Sequence, residues 1–375
     1  MSKLPQVGTT IFTVMSKMAA EHNAINLAQG FPDFNVDDKL ISTLKDTAGK
    51  QVHQYMPMGG NPFLLREISR LIRDRYGRSC HPDNEILVTA GATQAIFTTI
   101  MALIGQDDEV LILDPSYDCY APAVVLAGGK AVHVDLNEAY LPDWEAINAA
   151  ISTRTKMIIV NNPHNPSGKV WNETDLEALR SLMAKYPELM LLSDEVYEFI
   201  HFEKKHLSAH FYEDLRERSI IVSSFGKTFH ITGWKMGYLV APEEWMIEIK
   251  KVHQFNVFSV NSVAQATLAS YLPVSNVGEL KNTYRDKRDL FQQLLKDSNF
   301  KLLPSEGSYF QLVDYSVISD LPDVGFCEYL TKNVGVAAIP VSVFNANGKD
   351  RKHIRFCYAK QDKTLIEAAQ RLCKI

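Results

Sequence analysis

Five short, uninterrupted apolar runs constrain this chain more than anything else in it. They are Glu85–Thr89 (EILVT), Val110–Leu113 (VLIL), Met157–Val160 (MIIV), Leu189–Leu192 (LMLL) and Ile220–Val222 (IIV). A strand with one wet face alternates apolar and polar residues, so strands apolar at every position are covered on both faces. Helical periodicity fills the text between them. The combination predicts an α/β protein with a mainly parallel central sheet covered by helices. Asn172, followed by Glu173 and Asp175 before Leu176, predicts a capped helix start. After Ser270 the pattern changes. A long helix around Asn282–Lys296 leads to strand-like runs at Tyr309–Val313 and Ile354–Tyr358, which predicts a smaller α+β domain. The expected division is a large domain over 41–275, with 1–40 and 276–375 forming an N-terminal arm plus the small domain.

Ligands of open parallel sheets sit outside the carboxyl ends of the strands. The residue types at those ends therefore carry the functional reading. The first run ends in Ala90-Gly91-Ala92-Thr93, a small-residue turn into a helix that suits a phosphate; a plain strand-to-helix turn reads equally well there. The second ends in Asp114-Pro115-Ser116-Tyr117, with a flat aromatic. The third ends in Asn161-Asn162-Pro163-His164-Asn165-Pro166, where two X-Pro steps stiffen the path of an amide. The fourth ends in Ser193-Asp194-Glu195-Val196-Tyr197, and a carboxylate there needs a partner or water. The fifth runs into Ser224 and Lys227, with Lys235 further on. A desolvated lysine near another cation has a lowered pKa and can attack a carbonyl; a surface loop with two solvated lysines is the alternative. Together these ends suit a phosphorylated heteroaromatic aldehyde held as an imine.

Over nearly its whole length the sequence resembles the class I aminotransferases of pyridoxal-phosphate fold type I. The resemblance is carried by Asn26-Leu27-Ala28-Gln29-Gly30-Phe31-Pro32-Asp33, Asn165-Pro166-Ser167-Gly168, Ser193-Asp194-Glu195-Val196-Tyr197, the Lys227 segment and Ile354-Arg355-Phe356-Cys357. Through His164-Asn165-Pro166, Lys227-Thr228-Phe229 and Trp234-Lys235 it is most similar to bacterial methionine aminotransferases and the kynurenine/glutamine transaminase branch. The resemblance implies pyridoxal 5'-phosphate as cofactor and a role for each matching position. Lys227 would carry the cofactor and move the substrate proton, and Asp194 would pair with the ring nitrogen. Asn165 and Tyr197 would bond the ring 3-oxygen, and Tyr117 would stack on the ring. Ala92, Thr93, Ser224 and Lys235 would hold the phosphate, with Tyr55 reaching in from a second copy of a homodimer. Arg355, Gly30 and Asn165 would hold the substrate α-carboxylate. Lysine stands at 235 where many relatives have arginine, and no second arginine for an acidic side chain is evident. The apolar stretch Phe255–Asn261 is expected to line the substrate side.

The implied activity is ping-pong transfer of the amino group of a neutral amino acid (methionine, aromatic, glutamine or kynurenine type) to a 2-oxo acid. A cysteine-conjugate carbon–sulfur β-lyase on the same scaffold is the alternative. A regulator that binds the cofactor without turnover would be expected to carry a basic patch, and the net charge is −5 with mixed signs throughout. No nucleic-acid or membrane partner is expected, since no apolar run approaches the ~20 residues of a membrane span. Five scattered cysteines without CxxC spacing read as reduced thiols, and with no signal-like N-terminus they predict a cytoplasmic protein. His201, His206 and His210 lie close in sequence but lack a metalloprotease pattern, and no metal is expected.

Overall fold

The computed structural model describes residues 2–5 and 7–375. Its centre is a seven-stranded sheet of β1 (Ile86–Thr89), β2 (Glu109–Asp114), β3 (Lys130–Asp135), β4 (Thr155–Asn161), β5 (Met190–Asp194), β6 (Ser219–Ser224) and β7 (Gly237–Val240), in the order β1-β7-β6-β5-β4-β2-β3. Strands β3, β2, β4, β5 and β6 are mutually parallel, while β7 runs antiparallel to both β6 and β1. All five apolar runs are strands, and every residue of β1, β2 and β6 is buried. Burial on both faces is what their unbroken apolarity requires.

Two strands of the central sheet escaped the sequence reading. In β3 (KAVHVD) alternation replaces the apolar run because it is an edge strand and partly exposed. The other, β7 (GYLV), lies behind the glycine-rich turn that follows Lys227. Lys227 itself sits on a one-turn helix, Phe225–Thr228, not in an open loop. The predicted start at Asn172 is a full capping box: its side chain accepts from Asp175 N, and the Asp175 carboxylate accepts from Asn172 N.

The C-terminal part builds a four-stranded antiparallel sheet in the order Ile339–Pro340, His353–Cys357, Phe310–Asp314, Lys301–Leu302. The helix Leu280–Leu295 covers it, with Tyr284, Phe291 and Leu295 in a core shared with Phe356 and Leu365. Met15 and Ala19 of the helix Ile11–Glu21 enter the same core, and Ile25–Asn26 pairs in parallel with Val336–Ala337. The N-terminal segment thus belongs structurally with the C-terminal sheet.

Gly237 links fold to site. A Cβ there would lie 2.8 Å from Ser223 O and 3.1 Å from Ala92 N, so β7 can pass under the Gly91–Ala92 turn only as glycine. Replacing Gly237 with alanine is expected to cost about 1–3 kcal/mol through backbone displacement, seen as a lower urea midpoint at unchanged slope.

Candidate active site

A cavity of about 290 Å³ opens at the carboxyl ends of β4, β5 and β6. Of the cofactor- and substrate-site residues expected from the sequence, Tyr55 and the stretch Phe255–Asn261 do not border it; the others do. Phe12, Gln29, Gly30, Phe31, Phe310 and Arg355 reach in from the N-terminal segment and the small sheet; the other lining residues belong to the large sheet's strand ends and the segments that join them.

Asp194 ends β5 and is 3% exposed. Its Oδ2 accepts from the Tyr120 hydroxyl at 2.6 Å and its Oδ1 from Val196 N at 3.3 Å. Burial pushes its pKa up to about 6, against the lowering effect of the Tyr120 bond. Lys227 donates from Nζ to Gly30 O at 3.2 Å, and its amine lies 5.8 and 5.7 Å from the ring centres of Tyr197 and Tyr309. Burial brings its pKa down to about 8, with the Arg355 charge acting in the same direction. Arg355 is 1% exposed: Nη1 donates to Asn165 Oδ1 at 2.8 Å, Nη2 donates to Ala28 O at 2.8 Å, and the guanidinium lies 4.0 Å over the Phe310 ring. Its Nε is buried without a partner, and among the described residues no carboxylate pairs with it. That is the state of a fork built for a carboxylate from outside.

On the opposite wall, Gly91 (φ +78°) turns the chain into the helix Ala92–Leu103 without a side-chain cap, so its first N–H groups face the cavity at the positive end of the helix. A Cβ on Gly91 would stand 3.4 Å from Lys235 Nζ, which shows how closely that ammonium approaches the turn. Thr93 and Tyr117 are joined through their hydroxyls at 3.3 Å. An anion cup, a flat ring, a carboxylate at the far end and a half-buried amine in the same cavity fit a phosphorylated heteroaromatic ring.

Residues 22–372 fit the family described as aminotransferase class I and II. The chain belongs to that family. The methionine aminotransferase of Escherichia coli is 48% identical to this aminotransferase over 99% of the chain and 97% of its own length. A solved methionine aminotransferase from Escherichia coli superposes with a TM-score of 0.97 at 47% identity, covering 100% of this chain and 99% of that one. Human kynurenine–oxoglutarate transaminase 3 is 32% identical over 99% of the chain and 89% of its length. A double mutant of Thermus thermophilus aspartate aminotransferase superposes with a TM-score of 0.91 at 28% identity, over 100% and 99% of the two chains.

One expectation needs correcting. No residue of Phe255–Asn261 borders the cavity of its own chain, because the stretch follows the helix Glu243–Asn256 onto the surface, where Phe255 is 87% exposed. The apolar wall of the aminotransferase cavity comes instead from Phe12, Phe31 and Phe310. Tyr55 is also outside, 81% exposed, with its ring 5.3 Å from that of Phe258. Tyr120 was the main omission. It lies one helical turn past Tyr117 at the start of the helix Tyr120–Leu126, and that spacing was its only signal. The histidines 201, 206 and 210 form no metal site: among the described residues no cluster could hold a metal ion. No helix among them is long and apolar enough to cross a membrane.

Lys227 sets a pH signature in the cofactor-free protein. An unfolded lysine has a pKa near 10.4, so between about 8 and that value the unfolded chain binds a proton that the folded chain lacks. The stability penalty of Lys227 is therefore full below pH 8 and fades as pH rises toward that of free lysine. Lys227→Met is expected to raise the urea midpoint at pH 7, with the gain shrinking between pH 8 and 10.

Proposed function

We propose that this aminotransferase exchanges the amino group of a neutral amino acid, of methionine or aromatic type, with a 2-oxo acid, using pyridoxal 5'-phosphate held in the cavity. The observation that carries the reading is the half-buried Lys227 amine, its pKa lowered to about 8, in the same cavity as Asp194 and Arg355. Ala92, Thr93, Ser224 and Lys235 would hold the phosphate, and Tyr117 would stack on the ring. Asn165 spends its carbonyl oxygen on Arg355, which leaves its amide N–H groups for the ring 3-oxygen beside Tyr197. When bound, the cofactor supplies an electron sink for the electron pair freed at the substrate α-carbon.

The chain's own residues do the rest. Arg355 takes the α-carboxylate on its unpartnered edge and so fixes the α-carbon near Lys227. Lys227, a free base in much of the population near pH 8, accepts the α-proton and returns one on the other side of the exchange. Asp194 would face the ring nitrogen, and its negative charge there would favour a proton on that nitrogen. Among the described residues of one copy, the cationic side chains lining the cavity are Lys227, Lys235 and Arg355, and each already has a role in this reading. Phe12 and Phe31 offer an apolar surface. The methionine and kynurenine relatives support the same substrate class.

The same reading assigns 41–275 to the cofactor-binding domain and 1–40 with 276–375 to the part that brings Arg355. It makes the enzyme a homodimer, with Tyr55 and Phe258 of each copy serving the other's cavity, since both are exposed and outside their own. Five free cysteines support a cytoplasmic setting.

A panel of amino donors and 2-oxo acid acceptors tests this. Methionine or an aromatic donor with a 2-oxo acid is expected to turn over, and Lys227→Ala to abolish it; pyruvate from a cysteine conjugate alone, with no transfer, would overturn the reading. Asp194→Asn is expected to lower kcat by about 10²–10³-fold, as loss of a preorganised charge does, with KM for the donor changed far less.

A further inference from the structure

The segment Asp194–Glu198 carries three carboxylates in five residues, and all are buried: Asp194 at 3%, Glu195 at 1% and Glu198 at 2% exposure. Buried carboxylates in such density need separate compensation. Glu198 is bonded by the hydroxyls of Tyr76 and Tyr238, and burial pushes its pKa up, toward the neutral acid. Asp194 has Tyr120 and the cavity. Glu195 is different. Its Oε1 accepts from Ser193 Oγ at 2.9 Å and from Ala209 N at 3.1 Å, and its Oε2 faces His206 Nε2 at 2.8 Å. Burial opposes its charge, yet His206 holds it below the usual carboxylate range.

His206 is itself 2% exposed. The neighbouring histidines have other partners. Arg75 Nη2 meets His201 Nε2 at 3.2 Å, and Arg78 Nη1 meets His210 Nδ1 at 3.2 Å. Burial pulls those two down to about 4 and about 3, so both are neutral. Of the three, His206 alone bonds a carboxylate. The backbone carries this pair to the site. Glu195 N donates to Val222 O at 2.9 Å, and Asp194 O accepts from Asn161 Nδ2 at 2.9 Å.

We infer that His206 is a positioning residue for the aminotransferase reaction: it bonds Glu195 and clamps the turn after β5, so that Asp194 keeps its place and its charge for the cofactor ring nitrogen. Without it, an unpaired Glu195 carboxylate next in the chain drives Asp194 toward its neutral form. The inference rests on the cofactor reading above.

The test uses full-length His206→Asn, Glu195→Gln and the double variant. Equilibrium dialysis gives the Kd for pyridoxal 5'-phosphate, and an absorbance titration of the bound cofactor gives its pH midpoint. Removing one partner of a buried pair strands a charge, whereas removing both leaves none. His206→Asn is therefore expected to weaken cofactor binding about tenfold, the equivalent of one pKa unit, and to move the absorbance midpoint upward. Glu195→Gln and the double variant are expected to stay within about threefold of wild type. Unchanged binding and midpoint in His206→Asn would overturn the inference, as would a double variant as weak as His206→Asn. Should His206→Asn fail to fold, a double variant that folds and binds supports the inference, and one that does neither overturns it. Wild-type protein that takes up no cofactor would overturn the cofactor reading itself, and this inference with it.

Discussion

Three charged groups share one buried cavity without an ion pair among them. Asp194, Lys227 and Arg355 are each held by neutral groups: a tyrosine hydroxyl, a glycine carbonyl, an amide and a backbone carbonyl. Such an arrangement is costly in isolation, because an unpaired buried charge loses its hydration without recovering it. The protein's response is visible in two of the groups: burial moves Asp194 up to about 6 and Lys227 down to about 8, each toward its neutral form. A ligand bearing a cationic nitrogen, a carbonyl and a carboxylate-bearing partner satisfies all three.

The fold supplies the rigidity this requires. Parallel strands deliver Asn161, Asp194 and Ser224 to one end of the sheet: Asn161 is in register with Asp194, and Asp194 with Val222, two residues before Ser224. The N-terminal segment closes the other side. Gly30 O accepts from both Lys227 and the Tyr309 hydroxyl, at 3.2 and 2.6 Å, and Lys360 Nζ donates to Phe31 O at 2.8 Å. Residues far apart in the chain thus fix the strap that faces the lysine.

Much of this was legible in the sequence because a doubly covered parallel sheet writes itself as unbroken apolar runs. The residues just past those runs marked the segments that hold Asp194 and Lys227, and the likeness to the aminotransferases singled out Asn165 and Arg355. Edge exposure hid β3, and a glycine-rich start hid β7. Tyr120 was hidden for another reason. Its hydroxyl meets Asp194 from 74 residues away, and no local pattern encodes such a contact. Phe255–Asn261 does not border the cavity of its own chain because apolar composition does not say where on the fold a stretch lies, and Phe255 is 87% exposed. His206 looked like part of a histidine cluster, and only its pairing with Glu195 separates it from its neighbours.

Everything rests on which lysine carries the cofactor. Lys235 also borders the cavity, with a backbone φ of +54° and its ammonium against the Gly91 turn, a position suited to phosphate contact. Borohydride reduction of protein loaded with pyridoxal 5'-phosphate, followed by peptide mapping, separates the two. The account predicts one modified site, Lys227, in the peptide that contains Phe225–Thr228; label on Lys235, or no label at all, would contradict it.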